Sequence, residues 1–555
     1  MSNAPQFPQT TPNWWKAGIM YQVYPRSFQD TTGDGVGDLR GITQRLDHLQ
    51  ALGIDLLWLG PIFQSPNDDN GYDISDYEAI MPEFGTLSDF EALLAAAHRR
   101  GIRVLLDLVV NHSSDEHRWF AASKHPDSPY RDYYYWREEK PTNWPTFFGG
   151  DAWTYDAEGQ GWYLHLFSKK QPDLNWENPA LRQEIYRMMR FWLDKGVDGF
   201  RMDVIPFISK RLDWPEVDPS DFGQLMAHTY ANGPRVHEFL REMHEEVLQH
   251  YDLTTVGEAP GVSPELAPLY VGAERRELSM LFHFGHMTID WGPGGRFDVS
   301  TFTLSDFKRV FTTWYEALLP GDGWLNIFLD NHDYARLVSR FGDDERYRVE
   351  SAKLLALLLF TQRGTPCIYQ GSEIGMTNTH YPHFDHFRDL ETLNALAERR
   401  EQGGDLEALL RAVNVAGRDN ARTPMQWDDS AHAGFTTGEP WIPVNPNYPH
   451  INVAAAEADP DSVLYWYREL IAWRRATPTL VYGAYEDLLP EDEQLFVYRR
   501  WDEVQTFYVV LNFGATERNL PGVLPRELAL VKSNYRQPEG RLAAWEARVY
   551  TLSVR

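Results

Sequence analysis

The 555-residue sequence contains a single cysteine, Cys367. One cysteine cannot form a disulfide within the chain, and a chain of this size without any disulfide is typical of a reducing compartment. Residues 1–15 contain no basic segment followed by an apolar run, so the sequence predicts no signal peptide there. We therefore expect a cytoplasmic protein.

Long apolar runs are also missing. The longest strongly apolar stretch, residues 354–360, is much shorter than the about 20 residues that span a bilayer, so it predicts a core helix and no membrane segment. Basic residues are few, because 52 Lys and Arg stand against 80 Asp and Glu, for a net charge of −28. Such a charge disfavours nucleic acid and anionic membranes as partners and favours a neutral substrate.

Strand-like and helical segments alternate along most of the chain. The predicted strands are residues 18–28, 54–59, 103–110, 199–203, 254–258, 277–284, 325–330 and 366–370. Eight strands alternating with helices predict the α/β class and, within it, a (β/α)8 TIM barrel. The chemistry of such a barrel lies at the C-terminal ends of its strands.

Two regions depart from this alternation. The aromatic and proline-rich stretch after the third strand is too long for a plain loop, so it predicts an inserted subdomain B. From about residue 479, short apolar segments between charged or Gly/Pro turns predict a C-terminal antiparallel β-sandwich domain. The predicted domains are the barrel in two parts at 1–110 and 178–478, subdomain B at 111–177, and the β domain at 479–555.

Two helix starts carry capping signals. Ser88 and Glu91 match a capping box, in which the two side chains bond the backbone at the helix start. Asn178 followed by Pro179 matches an N-cap with proline at the first helical position. The sequence therefore predicts helices that begin beside Ser88 and Asn178.

Three carboxylates lie at the ends of predicted strands, namely Asp203, Glu258 and Asp333. Arg201 is two residues from Asp203 on one strand, so both side chains point the same way and the arginine favours the ionised carboxylate. Glu258 lies in an apolar run, which raises its pKa and lets it hold a proton. An ionised nucleophile beside a protonated acid is the arrangement of retaining glycoside hydrolysis.

Each of these residues also has a structural interpretation. A lone carboxylate at a strand end is more often an ion-pair partner or a helix cap, and His112 and His332 could be satisfied core histidines. The combination of three carboxylates with two histidines beside strand ends favours the enzymatic interpretation.

Four segments resemble, in order, the four signature regions of the α-amylase family: residues 107–112, 199–203, 256–258 and 328–333. Residues 71–73, 171–176 and 417–427 resemble the oligo-1,6-glucosidase and α-glucosidase branch of that family. The resemblance extends from about Trp14 to the C-terminus.

The resemblance implies a role for each carboxylate. Asp203 is the expected nucleophile and Glu258 the expected general acid/base. Asp333 is expected to bind sugar hydroxyl groups and to stabilise the oxocarbenium-like transition state. The nucleophile and the acid are expected about 5 to 5.5 Å apart, the separation at which the anomeric configuration is retained.

The resemblance also implies a pocket for one glucose unit. Asp73 and Arg418 are expected to close it behind the non-reducing glucose with Tyr72 stacked on the ring, which means exo action. Whether Arg422 bonds glucose directly or braces Asp73 is left open. The remaining expected contacts are Arg201, His112 and His332 on the same glucose, and Phe167 and Gln171 on the leaving-group side.

Val204, directly after Asp203, resembles the oligo-1,6-glucosidase pattern, whereas relatives that prefer α-1,4 links tend to carry Ala or Thr there. The residue therefore favours α-1,6 bonds. One methyl group in a pocket discriminates by only about 1–3 kcal/mol, so this is a preference and not an exclusion.

The loop of residues 30–38 offers oxygens at alternate positions, with Gly35 where a calcium loop turns sharply. The branch that the chain resembles holds a structural Ca2+ or Mg2+ here, and the implied ligands are Asp30, Thr32, Asp34, Val36 and Asp38. Thr32 replaces the usual Asn. The alternative is a metal-free turn held by side-chain hydrogen bonds.

The function that the sequence predicts is exo-acting, retaining hydrolysis of short α-glucosides with a preference for α-1,6 links. One alternative is glucosyl transfer, as in a sucrose isomerase or a trehalose synthase, and another is an α-1,4-preferring maltase. A third, from a different class, is an inactive barrel that acts as a transporter subunit or binding module. No organic cofactor is expected, and we expect a monomer or a weak homo-oligomer.

Overall fold

The computed structural model describes residues 13–218 and 221–552. Most of the stretch for which no signal peptide is predicted, residues 1–12, lies outside the described residues, as do the last three residues of the predicted C-terminal domain. None of the described helices is long and apolar enough to cross a membrane.

Eight parallel strands form the central sheet, in the order β6-β5-β4-β3-β2-β1-β8-β7. A parallel bridge between Leu281 and Leu325 joins its two edges and closes the barrel. This confirms the predicted (β/α)8 fold, and each predicted strand segment overlaps one barrel strand. The strands are β1 (Met20–Val23), β2 (Leu56–Leu59), β3 (Arg103–Leu108), β4 (Gly199–Met202), β5 (Thr254–Glu258), β6 (Met280–Phe282), β7 (Asn326–Ile327) and β8 (Thr365–Tyr369).

All residues of these strands are buried, because helices cover the outside of the barrel and side chains fill the inside. The predicted core helix at 354–360 is part of α7, whose residues from Ser351 onward are all buried. The barrel helices are α1 (Leu39–Leu52), α2 (Leu87–Arg99), α3 (Pro179–Asp194), α4 (Val236–Glu246), α5 (Ala267–Val271), α6 (Leu304–Leu318), α7 (Arg348–Thr361) and α8 (Val463–Arg475).

The two predicted helix starts have different outcomes. Asn178 caps α3 by accepting a hydrogen bond from the Ala180 N–H, with Pro179 at the first helical position, as predicted. The capping box of α2 is formed by Thr86 and Asp89, so the prediction of Ser88 and Glu91 was wrong. Both pairs match the capping pattern, and the helix begins at Leu87, directly after Thr86.

The insertion between β3 and α3 is a small sheet with an aromatic core. It contains the helix Arg118–Ser123 and the strands Trp136–Arg137, Trp153–Asp156 and Gly161–Leu164, with the last strand in the middle. Trp144 and Trp153 pack in one cluster with Val204 and Phe207, which follow β4. The insertion therefore rests directly on the loop after the strand that carries Arg201.

Further hairpins and helices belong neither to the barrel strands nor to the barrel helices. The hairpins are Phe63–Gln64 with Asp76–Ile80, and Trp291–Gly292 with Gly295–Val299. The additional helices are Phe222–Leu225, Leu337–Phe341, Leu390–Glu401, Leu406–Ala416, Asp419–Arg422, Val453–Ala458 and Pro478–Tyr482.

The C-terminal domain is antiparallel, as predicted. Its main sheet has the order β9-β10-β11-β13-β12, and a ribbon of two short strands, Arg518–Asn519 and Arg541–Leu542, forms a second layer. Leu542 of the ribbon packs in one apolar cluster with Leu495 and Val497 of the sheet. The sheet strands are β9 (Ala484–Asp487), β10 (Leu495–Trp501), β11 (Thr506–Asn512), β12 (Leu528–Ser533) and β13 (Ala547–Leu552).

Candidate active site

The register of three neighbouring strands brings acidic side chains to one level of the barrel. Asp107 of β3 pairs with Arg201 of β4, and Arg201 pairs with Val256 of β5. Asp203 and Glu258, each two residues further along, therefore emerge side by side at the C-terminal end of the barrel. Sites in (β/α)8 barrels form at this end.

One guanidinium contacts all three of these carboxylates. Arg201 Nη1 donates to Asp107 Oδ1 and to Asp203 Oδ1, both at 2.7 Å, and Nη2 lies 2.7 Å from Glu258 Oε2. The arginine is only 1% exposed. Three buried carboxylates thus share one fixed cation.

Burial raises the pKa of Asp203 and of Glu258, and Arg201 opposes this shift in both. Asp203 and Glu258 both bind Arg201, so their carboxyl groups are neighbours, and the negative charge of Glu258 further raises the pKa of Asp203. Arg201 lowers the pKa of Asp203, as predicted, but burial raises it by more. The coupled pair therefore retains a proton more readily than two separate carboxylates would.

Val204 has a left-handed backbone with φ +34°, which is unusual for a β-branched residue. Its neighbours explain why this conformation is kept. The N–H of Asp203 donates to the carbonyl of Leu108, and the N–H of Val204 donates to Glu258 Oε2 at 2.8 Å. The strain therefore fixes the carboxylate of Glu258 beside that of Asp203.

Asp333 has a different electrostatic environment. Its Oδ1 accepts hydrogen bonds from Arg418 Nη1 at 3.2 Å and Arg422 Nη2 at 3.1 Å, and its carbonyl accepts one from Arg296 Nη1 at 2.7 Å. Burial alone would raise the pKa of Asp333, but His332 and the arginines hold it well below its usual range. Asp333 is therefore ionised.

His332 and Tyr72 stack on one another, with ring centroids 5.4 Å apart and planes within 8°. Tyr72 Oη lies 2.6 Å from His332 Nε2 and donates to Asp107 at 3.1 Å, while Gln22 lies 2.7 Å from His332 Nδ1. Burial lowers the pKa of His332 to about 3. The histidine is therefore neutral and fixed between its two partners.

The inserted subdomain places Phe167 and Gln171 beside His112, and these three residues form one wall of the candidate site. Gln171 Nε2 lies 3.2 Å from His112 Nε2 and donates to Asp69 Oδ2 at 3.1 Å. The ring of Phe167 lies 5.1 Å from that of His112 and stacks on Phe147. Burial lowers the pKa of His112 to about 4, so this histidine is also neutral.

Asp73 does not lie where the resemblance implied. Its side chain is completely buried and accepts hydrogen bonds from Ser65 Oγ and from the N–H groups of Asp68 and Asp69. The carboxylate nearest to Arg418 from this loop is Asp69, at 3.7 Å. Asp73 thus closes the loop, and Asp69 is the residue that the sequence analysis missed.

The pKa of Asp69 is raised to about 7 by burial, against the effect of Arg418 and Arg422. Asn70 and Gly71 have positive φ angles of 48° and 101° and reverse the chain between Asp69 and Tyr72. The Asn70-Gly71 pair is a turn signal in the sequence, but it does not say which of the neighbouring acids faces Arg418.

A further acid, Asp389, was also missed. It is completely buried and accepts a hydrogen bond from Arg418 Nε at 2.7 Å, and it lies 3.6 Å from Arg422 Nη1. Arg422 also donates to the carbonyl of His332. Arg422 therefore braces Asp333 and not Asp73.

The predicted metal loop holds itself together by hydrogen bonds. Asp30 accepts from the N–H groups of Thr32, Gly33 and Gly35 and from Thr436 Oγ1, and these bonds lower its pKa although burial acts in the opposite direction. Asp38 accepts from Thr31 and from the Gly41 N–H, and Asp34 accepts from the Val36 N–H. In the part of the chain that the structure describes, no group of three or more His, Cys, Asp or Glu side chains is arranged to hold a metal.

Lys210, which the sequence analysis did not single out, joins the insertion to the barrel. Its side chain is completely buried, with Nζ 2.9 Å from Asp173 Oδ2 and from Asn111 Oδ1, and it donates to the carbonyl of Phe207 at 2.6 Å. Asp173 also accepts from the Leu166 N–H. This buried ion pair holds the wall of His112 and Gln171 against the loop after β4.

A family model described as the catalytic domain of α-amylase matches residues 22–483. This match confirms the resemblance, in agreement with the barrel and with the carboxylates at its C-terminal end, namely Asp107, Asp203, Glu258 and Asp333. The chain belongs to the α-amylase family.

Individual relatives are similar over almost the whole chain. The oligo-1,6-glucosidase of Halalkalibacterium halodurans is 53% identical over 553 residues, which cover 97% of this chain and 98% of the relative. The oligo-1,6-glucosidase of Parageobacillus thermoglucosidasius is also 53% identical, over 98% of this chain and 99% of its own. The crystal structure of an isomaltulose synthase from a Klebsiella species matches with a TM-score of 0.94 at 42% identity and covers 98% of this chain and 100% of its own.

The buried ion pair makes a stability prediction. Lys210→Met should lower the free energy of unfolding by about 3–5 kcal/mol, because it leaves the Asp173 charge buried without its partner. The double variant Lys210→Met/Asp173→Asn should recover part of this loss. Thermal unfolding of the three proteins measures both effects.

Lys195→Met is the matched control, because Lys195 makes a partly exposed ion pair with Glu91 that is worth about 0–1 kcal/mol. If Lys210→Met unfolds at the same temperature as Lys195→Met, the buried pair does not have this role.

Proposed function

We propose that the protein is an exo-acting, retaining α-glucosidase that hydrolyses short α-glucosides from the non-reducing end and prefers α-1,6 links. The observation that carries the proposal is that one guanidinium, that of Arg201, holds both carboxyl groups, with Nη1 2.7 Å from Asp203 Oδ1 and Nη2 2.7 Å from Glu258 Oε2. Inverting enzymes separate the two groups by about 6.5–9.5 Å to admit a water molecule, whereas retaining enzymes keep them close. Oligo-1,6-glucosidases at 53% identity support the substrate class.

In the first step, Asp203 attacks the anomeric carbon as a carboxylate while Glu258 gives its proton to the leaving oxygen. The glycosidic bond breaks, a glucosyl ester of Asp203 forms, and the shorter sugar leaves with the proton. Asp203 can be ionised while Glu258 is protonated because the two groups share one proton. Burial and the repulsion between their negative charges both favour keeping that proton on one of the two carboxylates. The strained Val204 N–H holds Glu258 within reach.

In the second step, the ionised Glu258 takes a proton from water, the oxygen of that water attacks the anomeric carbon, and the ester bond to Asp203 breaks. Two displacements at one carbon retain the anomeric configuration. The positive charge that develops on the sugar ring in both transition states is stabilised by Asp333, which its arginines keep ionised.

The exo action is supported by the closed side of the pocket. Asp69 and Arg418 approach one another at 3.7 Å, and the Arg418 guanidinium lies 5.0 Å from the ring of Phe148. In the proposal, Asp69 and Arg418 bond the hydroxyl groups of the terminal glucose, with Tyr72 and His332 beside the ring. A chain that continued beyond this glucose would meet these side chains.

Glucosyl transfer is the second candidate, and the likeness to an isomaltulose synthase supports it. A time course of products from sucrose, isomaltose, isomaltulose and maltose separates the two. Release of free glucose, fastest from the α-1,6-linked sugars, supports hydrolysis. An isomeric disaccharide from sucrose as the main product would replace the proposal by transfer, and faster cleavage of maltose would replace it by an α-1,4-preferring enzyme.

We also propose that the enzyme acts in the cytoplasm as a monomer or weak homo-oligomer on neutral α-glucosides. The single cysteine, which is buried, and the net charge of −28 support a reducing compartment and an uncharged substrate.

Replacing the two central carboxylates tests the mechanism. Asp203→Asn should abolish turnover of isomaltose, and Glu258→Gln should lower it by about 10²–10⁴-fold, because general acid catalysis contributes that much. On p-nitrophenyl α-glucoside the loss in Glu258→Gln should be smaller, since this leaving group needs little protonation. Asp213→Asn, the same change at an exposed ion pair, is the control.

The configuration of the first-formed product is read by proton NMR on fresh digests. Formation of β-glucose would contradict the double displacement, and so would parental turnover in Asp203→Asn.

The positions of Asp69 and Asp73 make a paired prediction. Asp69→Asn should lower kcat/KM by about 10- to 100-fold, since a hydrogen bond to a charged group is worth about 1.5–3 kcal/mol, with little change in melting temperature. Asp73→Asn should lower the melting temperature instead, because its three donors lose a charged acceptor. The opposite pattern, with Asp73→Asn active-site defective and Asp69→Asn unstable, would contradict the assignment.

Metal binding by the loop of residues 30–38 stays a prediction of the sequence. Its donors are oxygens, the ligands of Ca2+ and Mg2+. If the ion binds, CaCl2 should raise the melting temperature of EDTA-treated protein, because a ligand of the folded state stabilises it by mass action. Asp34→Asn, at an exposed position, should melt like the parent in EDTA and lose the gain in CaCl2. An unchanged parent melting temperature would contradict the metal site.

A further inference from the structure

A second cavity of about 280 Å³ lies outside the proposed catalytic pocket. It opens between the hairpin Trp291–Val299, the helix Leu337–Phe341 and the end of the helix Leu406–Ala416. None of the three catalytic carboxylates lines it. We call it the lateral cavity, and its volume is just below the range of about 300–1,000 Å³ that is typical of small-molecule sites.

The lining of the lateral cavity is aromatic on one side and hydroxylated on another. Trp291, Phe302 and Tyr334 supply the rings, and the hydroxyl groups belong to Ser300, Thr301 and Ser339. Two valines at its rim, Val299 and Val415, are 42% and 52% exposed. Rings for the apolar face of a ligand, with a few polar groups for its edge, are the composition of a small-molecule site.

The charges of the lateral cavity are balanced. Arg340 donates to both oxygens of Asp290, with Nε 2.8 Å from Oδ2. Arg296 Nε lies 2.9 Å from Glu391 Oε2. Because each guanidinium already faces a carboxylate, an anionic ligand would gain no free cation, and the cavity suits a neutral ligand rich in hydroxyl groups.

Arg296 connects the lateral cavity to the active site. Its guanidinium lies 5.0 Å from the Trp291 ring and 4.9 Å from the Tyr334 ring, and its Nη1 donates to the carbonyl of Asp333. The contact of Nε with Glu391 lacks the direction of a hydrogen bond, so among the described residues this buried N–H has no hydrogen-bond partner.

We propose that the lateral cavity binds a neutral pyranose, of the class of glucose, and that occupancy acts on Asp333 through Arg296. The choice of glucose rests on the proposed function, which produces this sugar at the neighbouring pocket. The existence of the site rests only on the rings, the hydroxyl groups and the balanced charges.

The test is a glucose titration of the parent enzyme whose catalytic pocket is saturated with 1-deoxynojirimycin, followed by calorimetry and ligand-observed NMR. We expect one remaining saturable glucose site per chain. Val415→Trp, which closes the rim, and Trp291→Ala, which removes a ring, should each weaken that binding at least tenfold. Trp501→Ala, the same change in the C-terminal sheet, should leave it unchanged. The absence of saturable binding in the parent, or parental binding in Val415→Trp, would overturn the site.

The coupling has its own readout. Glucose should inhibit hydrolysis by the parent with a competitive component from the catalytic pocket and a noncompetitive component from the lateral cavity, and only the second should disappear in Val415→Trp. Purely competitive inhibition of the parent would overturn the coupling. A parent that cleaves no α-glucoside contradicts the proposed function, whereas the titration of the two cavity variants still decides whether the site binds glucose.

Discussion

The chemistry of this protein depends on one buried guanidinium that three carboxylates share. Arg201 reaches Asp107, Asp203 and Glu258 at 2.7 Å each, inside a barrel where unpaired charge is costly. One positive charge cannot neutralise three negative ones, so the group favours binding a proton. A nucleophile that is ionised and an acid that is protonated can then lie side by side. The strand register aligns Asp107, Arg201 and Val256, so the barrel itself brings the three carboxylates to one guanidinium.

The parts of the fold and the site that could be predicted from the sequence are those with local signals. Barrel strands are short apolar runs between helical patterns. All eight were recognised because parallel strands that are buried on both faces consist almost entirely of apolar residues. Arg201, Asp203 and Glu258 lie on or directly after such strands, so their side of the barrel followed from the strand period. The capping box of α2 was displaced by two residues because two overlapping pairs satisfy the same pattern.

The parts that could not be predicted are decided by loops. Whether Asp69 or Asp73 approaches Arg418 depends on a chain reversal at Asn70 and Gly71, and neighbouring acids in one loop have equivalent sequence signals. Asp389 is a helix N-cap by its local pattern and accepts from the Thr392 N–H, but its other oxygen bonds Arg418, which is distant in sequence. The local sequence around Asp389 therefore indicates the helix cap but not the bond to Arg418.

Asp333 differs from Asp203 and Glu258 in how many guanidinium groups bond its carboxylate, and its pKa is shifted in the opposite direction to theirs. Around Arg201 one arginine faces three acids, and the pKa values of Asp203 and Glu258 rise. Around Asp333, Arg418 and Arg422 face the carboxylate while Arg296 holds its carbonyl, and the pKa falls although the group is buried. A double displacement needs a raised pKa at one place and a lowered pKa at another. The raised pKa lets an acid give its proton to the leaving oxygen, and the lowered pKa keeps a negative charge on the carboxylate that faces the sugar ring. Burial acts in the same direction on every carboxylate, so the distribution of the arginines separates their roles.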